Sequence, residues 1–397
     1  MSEERSDLGV VLSGGGARAA YQVGVLRAIG KRRPTLRFPI ITGVSAGAIN
    51  AAYIASSRTE PVDTMSSLAD LWCSIRSEDI FDVRTLSLST MLLRWGRRLL
   101  TGRAGAGSRA RGFVDTEPLR AFLRRSLPHR DGEIQGIREN LEEGKLAAVA
   151  LTALNYATGQ TITWVQGRDI ALWERPNRHS AKVRLGIEHV MASSALPLFF
   201  PAVRVGDAWY GDGGIRLAAP LSPALHLGAS RLLAVSTRYV RTADETSADE
   251  TLEYPAPGQI VGQLMKAIFL DLIDQDALRL ERLNQLLLRL DEEDRLGLSP
   301  VDFTVIRPSV DLGKLAADYE ADLPTTFRYL VRGLGSKETK SPDFLSVLMF
   351  EPGYLRRLIE IGEQDAEARL DELLDLVDGR GSMERSTDAD DALSLAE

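Results

Sequence analysis

Residues 8–30 read LGVVLSGGGARAAYQVGVLRAIG, and residues 40–55 read IITGVSAGAINAAYIA. Each stretch starts with a short apolar run, passes through a glycine-containing turn and continues with apolar residues at helical spacing. The pattern predicts two strands that each lead directly into a helix. Strands connected in this way run parallel, and a parallel sheet needs helices over both of its faces. The sequence thus predicts an α/β fold built on a parallel sheet.

Further strands and helices are predicted downstream of this unit. Leucines recur at three- to five-residue steps in residues 260–290, which favours a long helix. A second helical region at residues 354–376 precedes a tail rich in Asp, Ser and Arg. Additional strands are predicted at residues 146–154, 160–164, 208–210, 231–236 and 301–306, the first two as a hairpin.

The composition of the 397 residues is that of an ordinary globular protein, with 44% hydrophobic and 26% charged residues. This composition excludes the collagen-like and disordered classes of protein. The membrane-spanning class is excluded because no apolar run approaches the roughly 20 residues that cross a bilayer. The single cysteine, Cys73, cannot form an intramolecular disulfide, and the first ten residues lack the pattern of a signal peptide. We therefore expect a cytoplasmic protein that can meet a membrane only peripherally.

Acidic and basic residues are segregated along the chain. The net charge is −7, yet residues 8–59 and 84–113 contain no acidic residue, whereas acids crowd residues 244–253 and the region beyond Glu363. Binding to a nucleic-acid duplex needs a basic face, so the acidic total argues against nucleic acid as a partner. The basic N-terminal part remains compatible with an anionic lipid surface.

The motif Gly43-Val44-Ser45-Ala46-Gly47 follows a predicted strand and opens a predicted helix. A strand–turn–helix elbow holds its serine in a strained conformation with an exposed hydroxyl, and small neighbours such as Gly43 and Gly47 allow a tight approach. The amides of the helix N-terminus face the same point. Ser45 is therefore the candidate nucleophile. The alternative is a chance match in a helix start that is rich in small residues.

The run Gly14-Gly15-Gly16-Ala17-Arg18 lies at the other predicted strand–helix junction. Three glycines permit positive φ angles and leave N–H groups unobstructed, which suits a phosphate cradle or an oxyanion hole. A dinucleotide site needs an acidic residue about 20 positions later, and residues 9–59 contain none. A triphosphate loop needs G-x-x-x-x-G-K-[ST], which does not occur. The sequence therefore favours an oxyanion hole beside Ser45.

A serine nucleophile needs a base, and the four histidines are poor candidates. Hydrolases of the α/β type place their residues in the order serine, acid, histidine. Only His226 follows Asp212, and its neighbourhood is typical of a surface residue in a short helix. Asp212 lies among Gly211, Gly213 and Gly214, so another backbone can approach it closely; the alternative is an ordinary Asp-Gly turn. One cysteine and four scattered histidines form no metal-ligand cluster.

Together these motifs resemble the bacterial patatin-like phospholipase family. The resemblance rests on the glycine run 14–18, the elbow 43–47, the segment ASSALPLFFP at residues 192–201 and the loop Asp212-Gly213-Gly214, in that order. It covers about residues 8–236, and the family's GxGxxG pattern ends here in Ala19. The resemblance implies a three-layer α/β/α domain with a mostly parallel central sheet, plus a helical C-terminal extension.

The resemblance also implies a function and a set of site residues. Ser45 is expected to be the nucleophile of a Ser-Asp dyad, and Asp212 its proton acceptor. The expected oxyanion hole is made of backbone amides of Gly14, Gly15, Gly16, Ala17 and Arg18. Arg18 is also expected to fix the loop or to meet an anionic head group; the alternative is a salt bridge or a cation on the helix surface.

The activity that the resemblance implies is hydrolysis of acyl esters of phospholipids or related lipids, without a metal or other cofactor. The alternative is a patatin-fold protein of weak catalytic power that binds lipid or regulates a partner. A nucleotide-binding protein is a third class, which the missing ribose acid in residues 9–59 disfavours.

A basic amphipathic segment lies between the elbow and the aspartate loop. From residue 88 to residue 99, one predicted helical face collects apolar residues while arginines lie opposite or to the side. The apolar residues are Leu88, Met91, Leu92, Trp95 and Leu99, and the basic ones are Arg94, Arg97 and Arg98. We hypothesise that the segment touches anionic lipid and governs access to the site as a lid or anchor. The alternative is that its apolar face packs on the domain.

These expectations divide the chain into three parts. Residues 7–240 form the predicted patatin-like catalytic domain, with residues 84–113 as an insertion for a lid or membrane contact. Residues 241–377 form a mainly helical extension whose strand at 301–307 joins the core. Residues 378–397 form a disordered tail. The sequence chooses neither the lipid and its acyl position nor the oligomeric state.

Overall fold

The computed structural model describes residues 7–82, 114–240, 272–324, 328 and 343–380. The basic segment predicted at residues 88–99 and the insertion at 84–113 lie outside these residues. The tail beyond residue 380 also lies outside them, as does the first part of the helix predicted at 260–290. Every helix within the described residues is too short or too polar to span a bilayer.

Strands and helices alternate along most of the described chain. Strands β1–β12 span Leu8–Leu12, Ile40–Val44, His129–Arg130, Glu133–Ile134, Ala148–Asn155, Thr161–Gly167, Glu174–Arg175, Arg178–Lys182, Val203–Val205, Ala208–Asp212, Arg231–Val235 and Asp302–Ile306. Helices α1–α13 span Ala19–Arg32, Ala46–Ser56, Pro61–Ser74, Ser77–Ile80, Glu117–Ser126, Gln135–Glu142, Ile187–Ser193, Ser222–His226, Leu272–Leu288, Leu312–Asp318, Asp343–Leu348, Pro352–Ala368 and Leu370–Val377.

Ten of these strands form one sheet in the order β12-β11-β1-β2-β5-β6-β8-β7, with β10 paired to both β5 and β9. The central pairs are parallel, namely β12 with β11, β11 with β1, β1 with β2 and β2 with β5. Strands β5 and β6 form the antiparallel hairpin that the sequence predicts. The predicted α/β fold with a mostly parallel central sheet is thus confirmed.

Helices cover both faces of this sheet. Successive residues of a strand point to opposite faces, and the strand β11 shows the consequence. Leu233 and Val235 pack in one buried cluster with side chains of α1, α2 and α12. Leu232 and Ala234 pack in a second cluster with side chains of α8 and α9. The three-layer α/β/α arrangement is therefore confirmed.

The carboxyl ends of β1 and β2 are held together through backbone contacts at Gly47. A Cβ atom built on Gly47 would lie 2.3 Å from the Leu12 carbonyl oxygen and 2.4 Å from that of Ser13. A Cβ on Gly43 would lie 2.5 Å from the Gly47 carbonyl oxygen. Helix α2 can therefore start this close to the end of β1 only because glycine occupies these positions.

We expect Gly47→Ala to lower the free energy of unfolding by about 3 kcal/mol, because the new methyl group meets two backbone oxygens that cannot move independently. Urea denaturation monitored by circular dichroism measures the change. Gly30→Ala is the matched control, since a Cβ there meets nothing nearer than Met65 Cγ at 3.5 Å. Alanine also favours the helix interior, so the control should be neutral or slightly stabilising. Equal losses in both variants would contradict the close approach at Gly47.

The C-terminal helices pack directly on α1. A Cβ atom built on Gly24 of α1 would lie 2.1 Å from the Ile359 carbonyl oxygen of α12. A Cβ on Gly362 of α12 would lie 2.2 Å from the Tyr21 carbonyl oxygen of α1. The two helices therefore touch backbone to backbone, and α12 buries Tyr354, among other side chains, in the same cluster as α1.

Charges that are segregated in the sequence pair across this contact. Basic residues of α1 and of the residue that follows it bond carboxylates of residues 363–378. The pairs are Arg27–Glu363 (2.7 Å), Lys31–Glu363 (2.6 Å), Arg32–Glu367 (2.9 Å) and Arg33–Asp378 (2.5 Å). Such partly exposed pairs each add little stability, but they select where the acidic C-terminal helices dock. These four cations therefore face this chain's own acids.

Candidate active site

Ser45 lies in the sharp turn between β2 and α2. Its backbone has φ 56° and ψ −132°, a conformation that costs energy in any residue except glycine. The turn is held from the segment 192–201, because the Ser45 N–H donates to Ser193 Oγ (3.1 Å) and Ser194 Oγ donates to the Ser45 carbonyl oxygen (2.9 Å). The structure thus contains the strained strand–turn–helix elbow that the motif predicts.

Strand β5 places Asp212 at the end of β2. Thr152 of β5 pairs with Val44, and the next residue, Ala153, pairs with Asp212 of β10. The hairpin partner β6 pairs with the same two residues of β5, so β2 and β10 must share the opposite edge. The two strands consequently meet end to end along that edge. The carboxylate of Asp212 therefore lies beside Ser45.

The Asp212 carboxylate is fully buried, with a relative exposure of 0%. Its Oδ1 accepts a hydrogen bond from the Gly214 N–H (2.8 Å), while Oδ2 accepts none from the described residues. Burial raises the pKa of Asp212 to about 7, and the nearby Ser45 hydroxyl and the Gly214 N–H oppose that rise. The Ser45 hydroxyl is therefore near the carboxylate without forming a hydrogen bond of normal geometry to it.

Three residues without a predicted role connect the aspartate loop to the elbow, namely Ser193, Ser194 and Thr152. Ser193 Oγ donates to the Thr152 carbonyl oxygen (2.7 Å) and accepts the Ser45 N–H. The Asp212 N–H donates to the Ala195 carbonyl oxygen (3.0 Å). The segment 192–201 was identified only through its resemblance to the family. Its position between Ser45 and Asp212 depends on contacts that no local pattern encodes.

The glycine turn packs against Ser45 on the side of β1. Gly15 and Gly16 have φ angles of 149° and 56°, which favour glycine. A Cβ atom on Gly14 would lie 3.1 Å from Ser45 Cβ. Thr237, two residues beyond the end of β11, donates its Oγ1 hydroxyl to the Gly14 carbonyl oxygen (2.7 Å) and so fixes the turn. Among the described residues, no acceptor bonds the N–H groups of Gly15 and Gly16, which are therefore available to a ligand.

The backbone amide of Arg18 does not point to a ligand as the prediction expects. Its N–H donates to the Gly15 carbonyl oxygen (3.1 Å), which closes a short 3₁₀ turn at Gly16–Arg18. The Arg18 amide is thus engaged inside the turn, and we remove it from the predicted set of oxyanion-hole donors. Its side chain is 2% exposed and forms a salt bridge with Asp343 (2.6 Å). Of the alternatives for Arg18, the structure shows the salt bridge.

No histidine lines the pockets beside Ser45, and all four histidines lie in the described residues. His189 is packed against the Trp164 ring (4.8 Å between centroids), and its Nδ1 accepts from the Gly186 N–H (3.1 Å). Burial lowers the pKa of His189 to about 4, so its imidazole is neutral at physiological pH. Among the described residues, the Asp212 carboxylate is therefore the candidate acceptor of the Ser45 proton.

A pocket opens beside Ser45 between the glycine turn and helices α2, α3 and α5. We call it the Ser45 pocket; its empty space, including the open mouth, is about 690 Å³. Its polar side is formed by Gly15, Gly16, Ser45, Ala46 and Ser194. The rest of the lining is apolar and consists of Ile49, Leu71, Trp72, Ile75, Ile80, Leu119, Phe122, Leu196, Phe200, Val347, Leu348 and Phe350.

The arrangement combines the parts that acyl transfer requires. It holds a hydroxyl on a strained serine backbone, a carboxylate whose pKa is raised to about 7, and amides that lack a partner among the described residues, at the rim of an apolar pocket. Within the described residues, His, Cys, Asp and Glu form no cluster that could hold a metal ion.

The solved structures that match include a human phospholipase and two bacterial proteins. Human GIVD cytosolic phospholipase A2, in complex with methyl gamma-linolenyl fluorophosphonate, is 14% identical with a TM-score of 0.45; the alignment covers 96% of this chain and 60% of that chain. VipD from Legionella pneumophila is 13% identical with a TM-score of 0.34, covering 92% and 67%. For the ExoU-SpcU complex of Pseudomonas aeruginosa the identity is 16%, the TM-score 0.27, and the coverage 97% and 74%.

This chain thus spans less than two thirds of the human phospholipase chain. No curated protein sequence matches it significantly. A sequence model of the family described as Patatin-like phospholipase matches residues 10–225, which include the glycine turn, the elbow and the aspartate loop. That match spans more than half of the 397 residues. The chain therefore belongs to the patatin-like phospholipase family.

Proposed function

We propose that this protein hydrolyses acyl esters of phospholipids or related lipids with a Ser45–Asp212 dyad. One observation carries the proposal: among the described residues, no donor bonds Asp212 Oδ2, although this carboxylate oxygen is buried beside a strained serine. An unpaired buried carboxylate oxygen is costly, so its retention next to a hydroxyl points to proton transfer.

In the first step, the Ser45 Oγ–H bond breaks and its proton passes to Asp212 Oδ2. The Ser45 oxygen forms a bond to the ester carbonyl carbon, and the carbonyl oxygen becomes an oxyanion. Amides of Gly14, Gly15, Gly16 and Ala17 are the proposed donors to that oxyanion, aided by the N-terminus of α2 at Ala46. The tetrahedral intermediate then collapses, and Asp212 returns the proton to the departing alcohol.

In the second step, water replaces the serine on the acyl group. Asp212 accepts a proton from the water, the water oxygen attacks the acyl-serine carbonyl carbon, and the carboxylic acid leaves as Ser45 regains its proton. Asp212 is suited to both steps because burial raises its pKa to about 7. An aspartate with its ordinary pKa of about 3.9 would be a much weaker base.

The Ser45 pocket supports an acyl chain as the group on the carbonyl side. Beyond its polar rim, its lining consists of aliphatic and aromatic side chains, which gain free energy when a hydrocarbon chain displaces water. Whether the enzyme is a phospholipase A or a lysophospholipase depends on how the rest of the lipid is held. The pocket itself distinguishes only acyl chains from polar ligands.

An alkyl fluorophosphonate tests the proposal directly. We expect one phosphonyl group per folded molecule, located by peptide mass spectrometry on Ser45, because only an activated serine displaces fluoride at a useful rate. Ser45→Ala should remain unlabelled under the same conditions. Labelling of a different serine would refute the nucleophile assignment. A folded protein that binds lipid but takes up no label would instead favour the weakly catalytic, lipid-binding alternative.

A further inference from the structure

One wall of the Ser45 pocket comes from a distant part of the chain. Val347, Leu348 and Phe350 line the pocket, although they lie more than a hundred residues beyond the region 10–225 that the family model matches. They belong to α11 and the two residues that follow it. We call Asp343–Phe350 the C-terminal wall.

The N-terminal end of the C-terminal wall is bonded to the glycine turn through Arg18. The Arg18 guanidinium is almost completely buried; its Nε donates to Ser346 Oγ (2.6 Å) and an Nη donates to Asp343 Oδ1 (2.6 Å). A buried guanidinium is tolerated only when such partners satisfy it. Because Arg18 closes the turn that begins at Gly15, the salt bridge couples the wall to the proposed oxyanion amides.

The other end of the C-terminal wall is bonded to helices beside the pocket. Ser77 Oγ donates to Glu351 Oε1 (2.8 Å) directly after the wall. The Phe350 ring stacks with Trp72 at 6.5 Å between centroids and meets Phe81 edge-on at 6.3 Å. The wall is thus held at both ends by buried contacts, which limits how far it can yield to a ligand.

Between these two ends, the C-terminal wall lies against the backbone of the glycine turn. A Cβ atom built on Gly16 would lie 2.1 Å from the Val347 carbonyl oxygen. No side chain can therefore separate the turn from the wall. The distance from the proposed oxyanion amides to the Val347, Leu348 and Phe350 side chains is consequently fixed by the fold.

We propose that the C-terminal wall determines which acyl chains the Ser45 pocket accepts, and that Arg18 is the positioning residue that holds it there. The inference rests on the proposed function in taking an acyl chain as the ligand. A fixed amide-to-wall distance limits the acyl length, because each further methylene must find room among these side chains. Arg18 then acts through its salt bridge and has no contact with a lipid head group.

Val347→Phe tests the role of the C-terminal wall, with p-nitrophenyl esters whose acyl chains have 4 to 16 carbons as substrates. The phenylalanine ring is larger than the valine side chain and should shorten the preferred acyl chain. The ratio of kcat/KM for the dodecanoyl ester to kcat/KM for the butanoyl ester should fall by at least about tenfold, since each buried methylene changes affinity about fourfold. Val310→Phe is the matched control because Val310 is an exposed residue of the same C-terminal region. A ratio that is equal in Val347→Phe and wild type overturns the inference.

Arg18→Met tests the positioning role, with Arg27→Met as its control. Both arginines pair with a carboxylate of the C-terminal region, but the partner of Arg27 is Glu363, which does not line the pocket. We expect Arg18→Met to raise KM for the dodecanoyl ester about tenfold and KM for the butanoyl ester less than twofold. Equal rises for both esters, or the same pattern in Arg27→Met, would show a general loss of structure and overturn the positioning role.

Binding of dodecanoic acid to Ser45→Ala separates this inference from the proposed function. Displacement of a fluorescent fatty acid measures Kd without any hydrolysis, and Val347→Phe in this background should weaken binding at least about tenfold. If wild type hydrolyses no ester but this shift occurs, the hydrolase proposal fails and the wall stands. If wild type hydrolyses the esters and Val347→Phe changes neither selectivity nor Kd, the wall fails alone. Absence of both hydrolysis and binding refutes both.

Discussion

Replacing Ser45 with alanine is expected to lower kcat for a chromogenic acyl ester by at least about 10³-fold. Alanine removes the oxygen that forms the covalent intermediate in the proposed mechanism, whereas the amides and the apolar pocket remain. Substrate binding should therefore survive, and KM should change much less than kcat. Steady-state kinetics at equal concentrations of folded protein measure both constants.

The backbone at Ser45 makes a second variant informative. Alanine keeps the left-handed strain of φ 56°, whereas glycine relieves it. Ser45→Gly should thus be as inactive as Ser45→Ala but more stable by about 1 kcal/mol. Ser67→Ala, at an exposed serine of α3, is the control that should leave both properties unchanged. Substantial activity in Ser45→Ala would exclude Ser45 as the nucleophile.

The two strand–turn–helix units were predictable because their signals are local. An apolar run, a glycine turn and helical spacing all lie within residues 8–30 and 40–55. The turn conformations follow from the same letters, since Gly15 and Gly16 adopt positive φ angles and Gly47 leaves room for β1. The amino-acid sequence alone is therefore enough to identify Ser45 as a candidate nucleophile.

The position of Asp212 was only partly predictable. Its glycine neighbours and the resemblance identified the residue, but its place beside Ser45 depends on β10 pairing with the last residues of β5. That pairing joins segments more than fifty residues apart, and no periodicity in either one specifies it. Ser193 and Thr152 escaped prediction for the same reason, because their hydrogen bonds connect separate elements.

The charge segregation was predictable as a fact but not in its consequence. The acid-free N-terminal stretch is compatible with a surface for anionic lipid. In the described residues, Arg18 and the cations of α1 instead bond acids of residues 343–378. Sequence counts cannot show this, because the pairing depends on how α12 crosses α1. The C-terminal wall was unpredictable on the same grounds, since only docking brings Val347 to the pocket.

Replacing Asp212 with asparagine is expected to lower kcat/KM by about 10²–10⁴-fold, because the amide cannot accept the Ser45 proton. The pH dependence provides the sharper evidence. In the proposed mechanism Asp212 must be ionised before Ser45 reacts, so kcat/KM of wild type should rise about tenfold per pH unit and level off near a pKa of about 7. The residual kcat/KM of Asp212→Asn should not show this rise with pH. A wild-type limb near pH 4 would contradict a buried Asp212 as the base.

The same raised pKa has a consequence for stability that is independent of catalysis. Between pH 4 and pH 7 the folded chain keeps a proton on Asp212 that the unfolded chain has lost, so the free energy of unfolding falls as the pH rises. Above pH 7 both states are ionised and the loss is complete. Asp212→Asn lacks this group and escapes the loss. Its stability relative to wild type should therefore grow from pH 4 to pH 7 and then stay constant.

Urea denaturation of both proteins across this range measures the difference, and all other titrating groups cancel because they are shared. Asp63→Asn, at an exposed aspartate of α3, is the control for replacing an aspartate away from the site. A growing offset for Asp212→Asn with normal catalysis would mean that the carboxylate is buried but does no chemistry. A stability difference that grows with pH, together with the loss of the pH-dependent rise in kcat/KM, would identify Asp212 as the group responsible for both effects. The protonation that stabilises the fold is then the one that stops the reaction.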